Sequence, residues 1–264
     1  MYQDVDPPYR DPSYEVTVLR APLKPIVQLP RGWFHNVQGP AFGRLKVGPL
    51  DSDLTRQHAG EPLGERIIIF GRVTDSDERP VRNTLIETWQ ANAAGRYVDP
   101  IDLWGFPLDP NFTGAGRCLT DSDGRYRLVT IRPGAYPTFY RTGEKGWRAC
   151  HIHFSLYGAG FDSRLITQMY FEGDPLLRQD RMLLGIPDAR GQDRLIARLE
   201  DAASVIDVIN TANAGSSMDE TGRLIAKSAL IDPTAPPNRN ESALAYRFDI
   251  VLRGSGATPL EDRE

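Results

Sequence analysis

Short runs of β-branched and aromatic residues, separated by clusters of Gly, Pro and Asp, form the main pattern of the chain from residue 65 onward. Such runs are typical of strands, and the clusters between them are typical of tight turns. The strands predicted in this way are 66–74, 84–89, 149–156, 165–171 and 244–252, together with a turn and an alternating strand at 120–131. Many short strands joined by turns predict an all-β protein, built as a β-sandwich or a barrel.

Two stretches depart from this pattern. Residues 192–199 place Leu195, Ile196 and Leu199 at helical spacing, which predicts a short helix. Residues 214–240 are polar and contain prolines, which predicts a long loop within an insertion at about 202–241. Loops of this length usually carry function or form a contact surface. The fold class is therefore all-β, with long loops and one or two short helices.

The first part of the chain, residues 1–64, is rich in Pro and turn residues and has weak periodicity. It is predicted to be an extended N-terminal arm, followed by an all-β domain at 65–264 whose core is expected to be a β-sandwich. Aromatic residues such as Tyr14 and Trp33 would be costly to leave in water, so we expect the arm to pack on its own core or on a partner subunit.

Composition narrows the class of protein. The chain has 264 residues, with 31 Lys+Arg against 35 Asp+Glu and a net charge of −4, which argues against a nucleic-acid binder or a protein that docks on anionic membranes. No signal-peptide pattern and no long apolar stretch are present. The two cysteines, Cys118 and Cys150, cannot form a disulfide framework. We therefore expect a soluble cytoplasmic protein.

Candidate chemistry begins with a pair of histidines. His151 and His153 lie one residue apart in a predicted strand. Side chains alternate along a strand, so both imidazoles share one face and can converge on a metal, while Ile152 and Phe154 take the other face. The alternative is a pair of partly exposed histidines that bond to their neighbours.

The remaining ligands are harder to assign from the residues alone. Catalytic zinc needs a third His or a carboxylate, and the non-haem Fe(II) triad needs a carboxylate, but residues 154–160 contain no acid. Only His35 and His58 remain, both in the arm. The nearest upstream polar candidates are Tyr97 and Tyr136, whose phenolates would be hard anionic ligands suited to ferric iron. The alternative for each tyrosine is a buried aromatic beside a turn.

In order and spacing, these four residues resemble the iron ligands of the intradiol ring-cleaving dioxygenases. The resemblance covers most of residues 64–254 and is closest to the iron-bearing beta subunits of the protocatechuate 3,4-dioxygenase type. The stretches that carry it are 89–97, 107–112, 116–124, 147–148, 165–174 and 244–254.

The resemblance implies one Fe(III) per chain, with Tyr97 and His153 as equatorial ligands and Tyr136 and His151 as axial ligands. It also implies the intradiol cleavage of protocatechuate by O2 to 3-carboxy-cis,cis-muconate, a step of aromatic catabolism in the beta-ketoadipate pathway. The expected partner is a homologous alpha subunit in a hetero-oligomer.

Four further residues acquire roles through the resemblance. Arg148, three residues before His151, would stabilise negative charge in the active site; its alternative is a surface salt bridge. Gln168 would hydrogen-bond the substrate or an intermediate, or would simply be a polar strand residue. Trp89 is expected to pack beside the metal, and Tyr14 to contribute a substrate contact from the arm.

The chain also departs from the family pattern. Thr138 stands where the family usually has a Trp, and the segments 136–151 and 202–241 are longer than expected. Another substituted catechol or hydroxyquinol therefore remains an alternative substrate. A distant alternative is a non-enzymatic, transthyretin-like binding module, which 71–75 and 120–126 also resemble. Such modules do not require the two tyrosines and two histidines.

Overall fold

The structure of the protein is a computed structural model. It describes residues 47–100, 102, 105–139, 144–157, 164–200, 205–206, 242–252 and 257–259. Most of the predicted arm, including Tyr14, and most of the predicted insertion at 202–241 lie outside these residues. The division into an arm and a catalytic domain therefore stays a prediction.

Strands dominate the described residues. They are β1 (Arg66–Thr74), β2 (Leu85–Gln90), β3 (Ala115–Leu119), β4 (Arg125–Ile131), β5 (Tyr136–Phe139), β6 (Lys145–Arg148), β7 (His151–Tyr157), β8 (Leu165–Phe171), β9 (Ile196–Leu199), β10 (Val205–Ile206), β11 (Ser242–Arg247) and β12 (Ile250–Val251). The helices are short: a 3₁₀ turn at Pro175–Arg178, α1 at Arg181–Leu184 and α2 at Ala189–Arg194. The all-β prediction is confirmed.

Ten of these strands form one sheet. Eight follow the order β12-β1-β11-β9-β8-β7-β2-β3, β4 pairs with β1, and β10 pairs with β11. β5 and β6 form a separate hairpin. At the far end, Asp51 accepts from the Arg117 amide of β3, and Ser52 accepts from the Val129 amide of β4. This short segment therefore links β3 to β4, and the two halves of the sheet face each other.

The core lies between the two halves. The β1–β4 half contributes Ile67, Ile69 and Leu128, and the β2–β7–β8 half contributes Ile152 and Phe154. The two halves contact each other directly, since the rings of Tyr126 and Phe154 lie 6.0 Å apart. The core thus has the layered packing of a β-sandwich, as the sequence predicted.

The predicted strand at 244–252 is present but interrupted. Ile67 pairs with Leu244 and Val73 with Ile250 in the same parallel register, so β11 and β12 are two parts of one strand. Between them, the Phe248 carbonyl lies over Gly71, where a Cβ atom would meet it at 1.9 Å. A glycine is therefore required at this crossing.

The predicted helix at 192–199 is wrong in its position. Asp188 caps α2, which ends at Arg194, and the chain then enters β9. Ile196 and Ala197 pair with the end of β8, and Ala197 is fully buried. Pairing with β8 and β11 on its two sides overrides the helical spacing of the apolar residues.

Two features of the structure bear on the cysteines and on apolar helices. Cys118 and Cys150 are both free thiols. Among the described residues, no helix has the length and apolar character needed to span a membrane.

Candidate metal centre

The alternation of β7 brings both histidines to one face. Ile152 and Phe154 point into the core, and the imidazole rings of His151 and His153 lie 5.0 Å apart on the opposite side. Both histidines are buried. The prediction that His151 and His153 share one face of a strand is therefore confirmed.

Two tyrosines from separate segments of the chain contact these histidines. Tyr97 follows a turn after β2, and Tyr136 begins β5. The hydroxyl oxygen of Tyr97 lies 3.2 Å from Nε2 of His153, and that of Tyr136 lies 3.2 Å from Nε2 of His151. The two tyrosine rings are 5.5 Å apart, edge to face. The structure thus brings all four predicted ligand residues into one cluster.

A tight turn after β2 holds Tyr97. The side-chain oxygen of Asn92 accepts hydrogen bonds from the amides of Ala94 and Arg96. Gly95 has a φ of +80°, and a Cβ atom there would meet the Ala135 carbonyl at 2.4 Å. The turn can therefore approach the residue that precedes Tyr136 only because position 95 is a glycine.

The β5–β6 hairpin holds Tyr136. Tyr136 pairs with Arg148 at the base of the hairpin, and the chain then passes from Arg148 into the histidine strand through two residues. One short segment therefore fixes a phenol, a guanidinium and two imidazoles relative to one another. The next pair along the hairpin on the same face, Thr138 and Gly146, carries little side-chain volume.

The tautomer of His151 follows from its partner. Nδ1 lies 2.6 Å from the carbonyl oxygen of Ala149, and because a carbonyl can only accept, Nδ1 carries the proton and the Nε2 lone pair faces the tyrosine. Burial lowers the pKa of His151 well below its ordinary value, and the positive charge of Arg148 and the neighbouring His153 lower it further. The imidazole is therefore neutral, the form that binds metals.

The donor set can be tested against possible metals. Within the described part of the chain, no cluster of three or more His, Cys, Asp or Glu side chains could hold a metal ion. The cluster instead offers two phenol oxygens and two imidazole nitrogens. Hard anionic oxygen combined with imidazole suits iron better than it suits a structural zinc, which prefers thiolate and imidazole.

Arg148 lies beside the cluster in a buried polar network. Its exposed fraction is 5%, which rules out the surface salt bridge considered above. One terminal nitrogen donates to Oε1 of Gln168 and, at 3.2 Å, to the hydroxyl of Tyr170, while Nε donates to Asp180 at 3.0 Å. Burial alone would lower the pKa of Arg148, but Tyr170, Asp180 and Tyr136 together raise it well above its ordinary value. The guanidinium stays charged.

The structure also places the other predicted site residues. Trp89 stacks on the His153 imidazole, with the ring centroids 4.7 Å apart and the planes within 5°. Gln168 is the β8 neighbour of His153. Tyr14 lies outside the described residues. Sequence reasoning missed Tyr170, although it lies two residues after Gln168 on the same strand, and Asp180, whose signal was an acid just before a short helix.

An all-β sandwich that carries two tyrosines and two histidines in one cluster defines a candidate non-haem metalloenzyme. Comparisons with known proteins identify its family. Residues 37–254 match a protein-family model described as Dioxygenase. A protocatechuate 3,4-dioxygenase beta chain from Burkholderia cepacia is 47% identical over 257 residues, which cover 97% of this chain and 93% of the relative. A protocatechuate 3,4-dioxygenase alpha chain from Pseudomonas putida is 28% identical over 75% of this chain and 77% of its own.

The fold has a counterpart among solved structures. The crystal structure of 3-chlorocatechol 1,2-dioxygenase from Rhodococcus opacus 1CP superposes with a TM-score of 0.51 at 19% identity, covering 81% of this chain and 70% of that one. At this identity the likeness concerns the fold alone. On the family model and the beta-chain relative, the chain belongs to the intradiol dioxygenase family and is an enzyme, as the resemblance in the sequence implied.

Proposed function

We propose that this chain is the iron-bearing subunit of an enzyme that cleaves protocatechuate between its two hydroxylated carbons. The observation that carries the proposal is the meeting of two phenol oxygens and two imidazole nitrogens, each oxygen 3.2 Å from its nitrogen. In this proposal Tyr97, Tyr136, His151 and His153 hold one Fe(III) per chain. A neutral His151 with its lone pair directed into the cluster supports that assignment.

Ferric iron would supply a Lewis acid that binds the catechol and draws electron density from its ring, so that the ring carbon can react with O2. The reaction consumes one protocatechuate and one O2 and places both oxygen atoms in 3-carboxy-cis,cis-muconate. This product belongs to aromatic catabolism, in the beta-ketoadipate pathway.

The chain's own residues would manage protons and charge. Tyr136 is half-buried on a hairpin, and its hydroxyl oxygen is the atom that we propose accepts a proton from a catechol hydroxyl. Arg148 remains a cation and directs a terminal nitrogen toward Gln168 and Tyr170. A fixed positive charge at this position would stabilise the negative charge that develops on the substrate.

Trp89 and Gln168 would complete the substrate pocket beside His153. The stacked indole fixes the plane of the His153 ring, and the Gln168 amide can hydrogen-bond the substrate. Tyr14 would add a contact from the arm.

The proposed substrate and partner rest on the relatives. The 47% identical relative is a protocatechuate 3,4-dioxygenase beta chain, and an alpha chain of the same kind of enzyme also matches. We therefore propose a hetero-oligomer of this chain with a homologous alpha subunit. We also propose a cytoplasmic location, which is consistent with the two free cysteines.

A second candidate substrate class is favoured by one observation. Thr138 and Gly146 follow Tyr136 and Arg148 on the same face of the hairpin, so this side of the site carries little side-chain volume. A differently substituted catechol or a hydroxyquinol could occupy that space. No observation favours the transthyretin-like binding module. Such a module has no need of two tyrosines and two histidines, so it would leave their clustering unexplained.

Oxygen uptake distinguishes these candidates. The chain should be purified with and without a co-expressed alpha subunit and assayed with protocatechuate, catechol and hydroxyquinol at equal concentrations. We expect the highest kcat/KM with protocatechuate, and only when the alpha subunit is present. Faster turnover of hydroxyquinol by the chain alone would favour the second class, and no uptake by an iron-loaded protein with any of the three would refute the proposed function.

A further inference from the structure

One carboxylate outside the four-residue cluster connects it to the rest of the fold. Asp180 is fully buried and accepts four hydrogen bonds. Oδ2 accepts from Nε of Arg148 at 3.0 Å and from the amide of Ala149 at 2.9 Å. Oδ1 accepts from the amides of Met182 and Leu183 at the start of α1, at 2.9 and 3.2 Å.

These four contacts fix the carboxylate from two directions. The two α1 amides prevent Asp180 from rotating, and the Ala149 amide ties it to the segment between Arg148 and His151. The guanidinium of Arg148 therefore rests on a group that cannot move with it. Its other hydrogen bonds go to Gln168 and Tyr170.

A buried ion pair is a weak means of stabilising a fold, because removing two charges from water costs about as much as their attraction returns. Both side chains of this pair are almost fully buried, at 7% and 0% exposure. Its clearest physical consequence is instead to orient Arg148, since Nε is held on one side while the terminal nitrogen donates to Gln168 and Tyr170. These two residues are the β8 neighbours of His153 and His151.

We propose that Asp180 is a positioning residue for the dioxygenase reaction, holding the Arg148 guanidinium at the distance and angle that the reaction requires. This inference rests on the proposed function, since it assumes that Arg148 stabilises charge on the substrate. Among the described contacts, Asp180 has none with the four proposed metal ligands.

The chain offers a closely matched control. Asp174 is also buried, also caps a short helix, by accepting from the Leu176 amide at 2.9 Å, and also accepts from an amide next to the histidine strand, that of Cys150 at 2.9 Å. Among the described contacts, however, Asp174 has none with Arg148. Asp174→Asn therefore reproduces the loss of a buried capping carboxylate without the loss of the ion pair.

The test compares Asp180→Asn with Asp174→Asn in the complete, iron-loaded enzyme. Asn keeps the shape of Asp but loses its charge, and in either orientation its amide group faces two of the four donors. The ion pair that holds Arg148 is therefore lost, and we expect the guanidinium to shift. We expect Asp180→Asn to lower kcat by about 10- to 100-fold, the loss typical of removing a group that orients a site residue. KM should change by less than about threefold, and iron content should not change. Asp174→Asn should keep kcat within about threefold of the parent enzyme.

Three outcomes would overturn the inference. They are an unchanged kcat in Asp180→Asn, equal losses in the two variants, or a loss of iron in Asp180→Asn in proportion to activity. Crystal structures of both variants give a readout that does not depend on turnover, since the guanidinium should be displaced only in Asp180→Asn. If Asp180→Asn does not fold, Tyr170→Phe removes one of the other hydrogen-bond partners of Arg148 and should lower kcat in the same direction, with KM and iron retained.

The experiment separates this inference from the proposed function. If the parent enzyme binds iron but does not turn over any catechol, the proposed function fails, and the displacement of Arg148 in the crystal structures still decides whether Asp180 positions it. If the parent enzyme is active and Asp180→Asn matches Asp174→Asn, the function stands and only the positioning role fails.

Discussion

Gly95 is the position where a single methyl group should most directly disturb the cluster of two tyrosines and two histidines. Its φ of +80° is in the left-handed region, and a Cβ atom would lie 2.4 Å from the Ala135 carbonyl. The conformational cost for an alanine is about 1–2 kcal/mol. Overpacking against a backbone atom adds about 1–3 kcal/mol. We therefore expect Gly95→Ala to lower the free energy of unfolding by at least about 2 kcal/mol, or about 4–8 °C in Tm.

Gly95→Ala should also weaken iron binding. The carbonyl that blocks the new methyl group belongs to the residue before Tyr136, and Gly95 lies two residues before Tyr97, so relief of the clash must separate the two tyrosines. We expect Gly95→Ala to retain less than about half of the parent protein's iron.

Gly173 is the matched control, because its φ is +77° and a Cβ atom there would meet nothing within 4 Å. Gly173→Ala carries the same conformational cost without the clash. The assays are thermal unfolding and iron content of the purified proteins. Equal losses of stability and equal iron content in the two variants would show that contact between the turn and Ala135 does not organise the cluster.

Two other predictions concern the core and the thiols. Phe154→Ala should lower the free energy of unfolding by about 3–5 kcal/mol, because the ring is fully buried between the two halves of the sheet. Leu119→Ala, at a residue that is 49% exposed, should lower it by less than about 1 kcal/mol. Similar unfolding midpoints of the two variants in denaturant titration would contradict the core assignment. Burial raises the pKa of Cys118 and of Cys150 to about 12, so both thiols remain protonated at pH 8. They should therefore react with iodoacetamide only slowly until the protein unfolds. Rapid labelling of the native protein, measured by mass spectrometry, would refute this prediction.

The sequence was sufficient for the strands whose apolar residues alternate or cluster between strong turns. β1 and β8 follow this rule, and their predicted bounds agree with the structure. The helix predicted at 192–199 failed because its apolar residues also fit a short strand, and pairing with β8 on one side and β11 on the other decides between the two. A single-sequence pattern contains no information on such a partner.

The cluster was predictable to the extent that its chemistry is local. His151 and His153 share a strand, and alternation alone places them on one face. Tyr97 belongs to a turn far from them in the chain. The residues alone therefore made it only a candidate ligand, and the resemblance to a family assigned it to the metal. Asp180 was missed because an acid before a short helix is an ordinary cap, and its contact with Arg148 depends on how α1 packs against the hairpin.

The central claim is that Tyr97, Tyr136, His151 and His153 hold one ferric ion. The visible absorption spectrum of the purified enzyme tests it most directly, because a phenolate bound to Fe(III) gives a tyrosinate-to-iron charge-transfer band. We expect a burgundy protein with one iron per chain, a weaker or shifted band in Tyr97→Phe, and an unchanged band in Tyr126→Phe, whose hydroxyl donates to the Phe248 carbonyl in the core. A colourless protein that lacks iron after growth in iron-replete medium, or a band that Tyr97→Phe leaves unaltered, would contradict the account.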